Sequence, residues 1–184
     1  MKGLFILLLA VCHFNSIGGK EFPVYMPKSS VNPDWKTYAG TGYSIQYPPE
    51  WEMDLSGKMG ASFFIFSPLE SDTDQFRENI NLFVQDLSAQ KMNLDQYANL
   101  SEMQIKKMVT NVDFIENKRI IRGTDTCNNL LYKGDQGIFH LEFEQQYRIY
   151  DNKAYILTFT AEASKFQKYK EIGENILNSF AFKK

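Results

Sequence analysis

Residues 139–161 constrain the fold more than any other stretch. Phe139, Leu141, Phe143 and Tyr147 alternate with His140, Glu142, Glu144, Gln146 and Arg148. After Tyr150-Asp151-Asn152-Lys153, the run Ala154 to Ala161 alternates Tyr155, Leu157 and Phe159 with Ile156 and Thr158. A period of two marks a half-buried strand, because successive side chains point to opposite faces. Asp and Asn tolerate positive φ, so a tight antiparallel turn fits between the two runs.

The rest of the chain extends this pattern. Trp35 to Tyr38 and Tyr43 to Tyr47 read as a hairpin joined through Gly40-Thr41-Gly42, and Pro48-Pro49 ends it because proline cannot donate to a ladder. Phe63 to Phe66 and Ile80 to Val84 read as two further strands. From Asn93 the period changes. Leu94, Ala98, Ser101, Ile105, Met108, Val109 and Val112 follow a helical stripe, with Asn93 as N-cap and Gln96 as its capping-box partner. Strands return at Phe114 to Ile121, stopped by Gly123, and near Leu130 to Lys133, stopped by Gly134-Asp135-Gln136-Gly137. A second helix opens on Ser164-Lys165-Phe166-Gln167, which has capping-box form, and buries Phe166, Tyr169, Ile172, Ile176, Leu177 and Phe180. Strands, helix, strands, helix with hairpin-length connections give an α+β class, a mainly antiparallel sheet packed by helices.

The first eighteen residues read as an export signal. Lys2 precedes the apolar run Leu4 to Val11, which is far short of the ~20 residues that span a bilayer, and Ser16 and Gly18 suit cleavage after Gly18. A second reading takes Leu9-Ala10-Val11-Cys12 as a lipobox with Cys12 lipidated, although Val11 is bulky for that position. Residues 19–34, with Pro23, Pro27 and Pro33, read as an extended leader or linker, and 35–184 as one domain. Export implies the periplasm or cell envelope, with a lipid anchor as the only membrane attachment.

Composition narrows the function. Removing residues 1–18 takes away Lys2 and no acid, leaving 19 basic against 22 acidic residues, a balance of -3 that disfavours nucleic acid as a partner. It also leaves one cysteine, Cys127, and one histidine, His140, so an internal disulfide is ruled out. His140, Glu142 and Glu144 share one face of a strand at ~6.5–7 Å per step, which offers half of a metal site or an acid/base pair. Zinc normally takes several N or S ligands, so a polar sheet face explains the same pattern with no chemistry. Glu70-Ser71-Asp72-Thr73-Asp74 lacks the glycine and glutamate of a calcium loop and reads as solvated. Cys127 has no adjacent base, and neither a Gly-x-Ser-x-Gly, a phosphate loop nor a dinucleotide fingerprint occurs. No cofactor is expected. Trp35, Tyr38, Trp51 and Phe63 to Phe66 exceed what one sheet face hides easily, so they pack in the core or line a groove for a partner.

Three stretches carry a resemblance. Tyr43-Ser44-Ile45-Gln46-Tyr47-Pro48-Pro49-Glu50-Trp51, Ala154-Tyr155-Ile156-Leu157-Thr158-Phe159-Thr160-Ala161 and Ile176-Leu177-Asn178-Ser179-Phe180 together resemble the PsbP-like family and its bacterial relatives, including DcrB-type envelope lipoproteins. The resemblance covers about residues 35–182 and implies an α/β/α sandwich around an antiparallel sheet. Its photosynthetic members are accessory subunits that help assemble or hold a metal-containing photosystem, but none of their metal ligands maps onto this chain. The expectation is a non-enzymatic, secreted or lipid-tethered envelope protein. It would bind or assemble another envelope protein through a sheet face or the aromatics near Trp35, Tyr38 and Trp51. The alternative is a metal-binding or hydrolytic protein centred on His140, Glu142 and Glu144.

Overall fold

In chain order the elements are β1 (Val24–Tyr25), β2 (Lys36–Ala39), β3 (Tyr43–Tyr47), β4 (Glu52–Asp54), β5 (Phe63–Phe66), β6 (Asn79–Asp86), α1 (Leu94–Met108), β7 (Thr110–Arg122), β8 (Asp125–Gln136), β9 (Phe139–Tyr150), β10 (Lys153–Glu162), α2 (Phe166–Ser179) and β11 (Ala181–Phe182). They come from a computed structural model that describes Val24–Tyr25 and residues 32–183. The export segment 1–18, Cys12 and most of the 19–34 leader lie outside the described residues. Eight strands form one sheet in the order β1-β7-β8-β9-β10-β6-β5-β4, and β11-β3-β2 form a second. Among the described strands only β1 runs parallel to its neighbour, pairing Val24 with Ile120 and Tyr25 with Ile121. The main sheet therefore takes in residues of the stretch that the sequence assigns to a leader.

The β9–β10 hairpin turns through Asp151 (φ 49) and Asn152 (φ 53), the left-handed pair that matches the strand twist. Its register, Lys153 opposite Tyr150 and Leu157 opposite Gln146, has a consequence for layering. The apolar set of β10 shares a face with the polar set of β9. Tyr155, Leu157 and Phe159 pack with Phe63, Ile65, Ile80 and Leu82 against Phe166, Ile176 and Leu177 of α2 and against Tyr43 and Ile45 of β3. Leu141, Phe143 and Tyr147 of β9 point the other way, with Ala154, onto Tyr97 and Ala98 of α1. The result is an α/β/α sandwich in which α2 and the small sheet share one outer layer and α1 forms the other.

Asn93 caps α1 as its sequence suggests, accepting from the Gln96 N–H at 2.9 Å while the Gln96 side chain accepts from the Asn93 N–H at 2.9 Å. Three local expectations are corrected. The first helix does not run to Val112: it ends at Met108, and Thr110 already pairs with Asp135. Gly134 explains the early stop, because a Cβ there would lie 2.2 Å from Val109 Cγ1, so the chain leaves the helix by crossing this bare position. For the same reason Gly134 does not end β8, which runs on to Gln136. No capping box forms at Ser164; Lys165 is the N-cap, with its N–H donating to the Glu162 carbonyl at 2.8 Å and its side chain engaged elsewhere.

Candidate functional site

The His140, Glu142 and Glu144 side chains lie on the α2 side of the sheet, each with a different partner. His140 is 82% exposed, its Nδ1 2.5 Å from Asp135, whose other oxygen accepts from the Asn111 amide at 2.6 Å. Asn111, then His140, hold the Asp135 carboxyl below its ordinary range. Glu142 is buried and sits 3.5 Å from Lys133, directly opposite it in register. Glu144 is buried beside the Asn129 amide; burial first, and then the Glu174 carboxylate of α2, push it up to about 7. Among the described residues no group of three His, Cys, Asp or Glu is placed to hold a metal ion. Cys127 is also buried, and burial pushes its thiol up, away from the thiolate that a nucleophile needs.

Further along β9, Arg148 donates from Nε to Asp125 at 3.1 Å and from Nη2 to Gln146 at 2.9 Å, with its guanidinium 5.3 Å from the Phe180 ring. Gln146 donates to Asn178 of α2 at 3.3 Å. From Glu142 to Arg148 the polar alternation of β9 is thus a buried structural seam on the α2 side, with His140 exposed at its end.

Glu144 makes that seam sensitive to pH. Its folded value lies above the unfolded 4.5, so the folded state holds the proton more tightly. The resulting stabilisation is complete below about 4.5 and is lost as pH rises through 7. Glu144→Gln should remove about 2 kcal/mol of pH-dependent stability between about pH 5 and about pH 8. Urea midpoints of both proteins at the two pH values check this, and parallel pH profiles would refute it.

The aromatic candidates are drawn inward. Trp51 is 2% exposed and packs edge-on to Tyr169 at 6.3 Å, so it belongs to the core and leaves any contact surface. Trp35 and Tyr38 are half-buried against the same core, Tyr38 edge-on to Phe63 at 6.0 Å. The acidic loop, expected to be solvated, is fastened to α2. Lys165 reaches Asp74 at 3.1 Å and Glu70 at 3.6 Å, and Lys168 and the Tyr169 hydroxyl each meet Glu70 at 2.6 Å.

The opposite, α1-facing side of β5, β6, β10 and β9 carries a feature that the sequence reading missed. In register, Phe64, Asn81, Thr158 and Gln145 form one row across the four strands, and Phe66, Asn79, Thr160 and Phe143 the next. The helix α1 packs on β7, β8 and β9, so this strip lies between α1 and the Phe64–Phe66 wall. Asn81, Thr158 and Thr160 are only 9%, 5% and 6% exposed, covered by the larger side chains around them. Gln145 donates to Thr158 Oγ1 at 3.2 Å and accepts from the Tyr147 hydroxyl at 2.5 Å, but the buried Asn81 Oδ1 has no partner. Phe64 and Phe66 stack at 5.4 Å, with the Lys58 ammonium 4.5 Å from the Phe66 ring and Arg77 5.3 Å from it. Both cations are neutralised, by Asp54 and Glu52 at 2.8 Å. The only sequence signal for this strip is the polar alternation of Asn79, Asn81, Thr158 and Thr160; what brings them together is the β6–β10 pairing.

No family model matches the chain, and no curated protein matches its sequence. Solved structures do match its fold. Cyanobacterial PsbP (CyanoP) from Synechocystis superposes with a TM-score of 0.60 at 16% identity over 83% of this chain and 95% of that one. PA94 of Pseudomonas aeruginosa, a protein of unknown function, gives 0.59 at 10% identity over 82% and 98%. LpqN of Mycobacterium tuberculosis, a protein involved in cell envelope biogenesis, gives 0.57 at 10% identity over 89% and 90%. At these identities the likeness establishes the fold, which is PsbP-like, as the three sequence stretches imply.

Proposed function

We propose that the chain is an exported, non-enzymatic binding or assembly accessory of the bacterial envelope, acting on another envelope protein. The observation that carries this reading is the α1-side strip: uncharged amides and hydroxyls across β6 and β10 beside an aromatic wall, along which Phe66, Asn79 and Phe83 are only half-buried. Two further observations support the reading. Its candidate chemical groups are each engaged in structural pairing: His140 with Asp135, Glu142 with Lys133, Glu144 with Asn129. The Lys2, Leu4 to Val11, Ser16, Gly18 pattern suits export, and the fold is shared with LpqN, whose own role is in envelope biogenesis.

Photo-crosslinking in the native envelope tests it. A photoreactive residue at Phe83, half-buried one row beyond Asn81 on the same face, should capture a partner protein. The same group at Glu171, exposed on α2, should not. Equal capture from both positions, or capture from 171 alone, would overturn the proposal.

A further inference from the structure

We infer that the Phe64–Phe66 wall of the α1-side strip takes an arginine side chain of the partner protein, which displaces the chain's own Lys58 from the rings. The inference rests on the strip being the binding face, as proposed above, and names the group that this face recognises.

The strand register sets the chemistry. Glu52 lies opposite Phe66 and Asp54 opposite Phe64, so each row of the strip runs from a carboxylate on β4 to a ring on β5 and an amide on β6. Aromatic rings present a negative face that attracts cations. The chain already seats two of its own cations here. Arg77 stands 5.3 Å from the Phe66 ring while its Nη1 donates to Glu52 at 2.8 Å. The Lys58 ammonium stands 4.5 Å from the Phe66 ring and 5.3 Å from the Phe64 ring, and meets Asp54 at 2.8 Å. Each place is built from the same parts, a ring and a carboxylate around one cation.

The two cations are held differently. Arg77 is locked, since its Nε also donates to the Ser67 carbonyl at 2.5 Å and its Nη2 to the Phe66 carbonyl at 3.4 Å. Lys58 has a side chain that is 46% exposed, and an exposed ion pair of this kind contributes little. The turn that carries it, Lys58–Gly60, buries no residue, and Met59 within it has φ 55, a left-handed value that strains a non-glycine residue. Lys58 therefore leaves the rings at small cost. Asp54 keeps its position when it does, because its other oxygen accepts from the Ser56 N–H at 2.8 Å. A planar guanidinium suits the place better than the ammonium it replaces, since it stacks on a ring and forks onto a carboxylate at once.

Lys58→Ala, which removes only an exposed side chain, gives the test. The ring cross-peaks of Phe64 and Phe66 are followed in the full chain as a capped glycine-arginine-glycine peptide is added. The comparison probes are the same peptide with uncharged citrulline for arginine, and choline, the cation of a lipid headgroup. The inference expects both rings to move with the arginine peptide and neither with the citrulline peptide. It also expects about fivefold tighter arginine binding in Lys58→Ala, where the chain's own cation no longer competes. Asp54→Asn in that background should abolish the gain. Unchanged affinity in Lys58→Ala would overturn the inference, as would equal movement with citrulline or tighter binding of choline than of the arginine peptide. If the arginine peptide moves neither ring in either protein while Phe83 still captures a partner in the envelope, the arginine inference fails and the binding proposal stands. If Phe83 captures nothing, the proposal itself fails.

Discussion

Leu157→Asp should abolish the folded state at neutral pH. Leu157 is fully buried at the middle of β10, between Leu82 on β6 and Gln146 on β9, and faces the α2 layer. Replacing it forfeits the burial of a leucine side chain, about 2–3 kcal/mol. It also places a carboxylate among Phe63, Ile65, Leu82, Phe159 and Leu177, and the Arg148 guanidinium on the same face is already engaged by Asp125 and Gln146. An unpaired buried charge costs several kcal/mol more even after relaxation. Together these approach the 5–15 kcal/mol that holds a typical domain together. The variant should show no cooperative urea or thermal transition by circular dichroism. Leu157→Ala, which leaves a cavity of about 2–5 kcal/mol and no charge, should keep a cooperative transition at a lower midpoint. A wild-type midpoint for Leu157→Asp would mean that this strand does not face the core.

The second large effect runs against intrinsic propensity. Gly173 lies in the middle of α2, where Ala is favoured over Gly by about 1 kcal/mol. In this fold its bare Cα meets the Phe159 ring: a Cβ would stand 2.7 Å from Cδ1 and Cε1 and 2.8 Å from Cγ. Phe159 is fully buried and packed on Phe166 at 5.2 Å, so the ring has no free space to yield. Accommodating even one methyl requires α2 to lift from β10, and overpacking of this kind costs typically 1–3 kcal/mol. Gly173→Ala should therefore lower the urea midpoint despite its better helix former, and Gly173→Leu should lower it further. Phe159→Leu in the Gly173→Ala background should recover part of the loss, a coupling that only two residues in contact produce. A raised midpoint in Gly173→Ala would show that the helix–sheet approach is looser than described here.

The sequence is most legible where the determinant is local. The hairpin at Asp151-Asn152 follows from two residues that tolerate positive φ between two alternating runs, and the start of α1 follows from Asn93 and Gln96 three positions apart. Both are decided within a few residues, so their physics is complete in the sequence window. Ser164 satisfies the same local rule, yet no cap forms there: the chain turns from Glu162 so that Lys165 takes the N-cap position, and its side chain is held by Asp74 from a loop far away in the chain. The end of α1 is set likewise by Gly134 on another strand.

The candidate surface was the least legible part. His140, Glu142 and Glu144 do share a face, as the period of two dictates, but which face is a matter of register. Alternation alone cannot say that the polar set of β9 lies on the same side as the apolar set of β10. Trp51 looks like a surplus aromatic in sequence and becomes core once α2 brings Tyr169 over it. Asn81 and Thr158 carry no motif, and only the pairing of β6 with β10 places them side by side.

By itself, then, the amino-acid order determined the kind of each long element, the antiparallel character of the sheet and the tight turn at its centre. These depend on side-chain period and backbone preference, which are properties of neighbours along the chain. The tertiary structure decided which side of the sheet each strand's polar set occupies, where α1 stops, and which neutral side chains line the strip beside Phe64 and Phe66. Those depend on contacts between residues distant in sequence, whose energies exist only once the strands have paired and the two layers have closed over them.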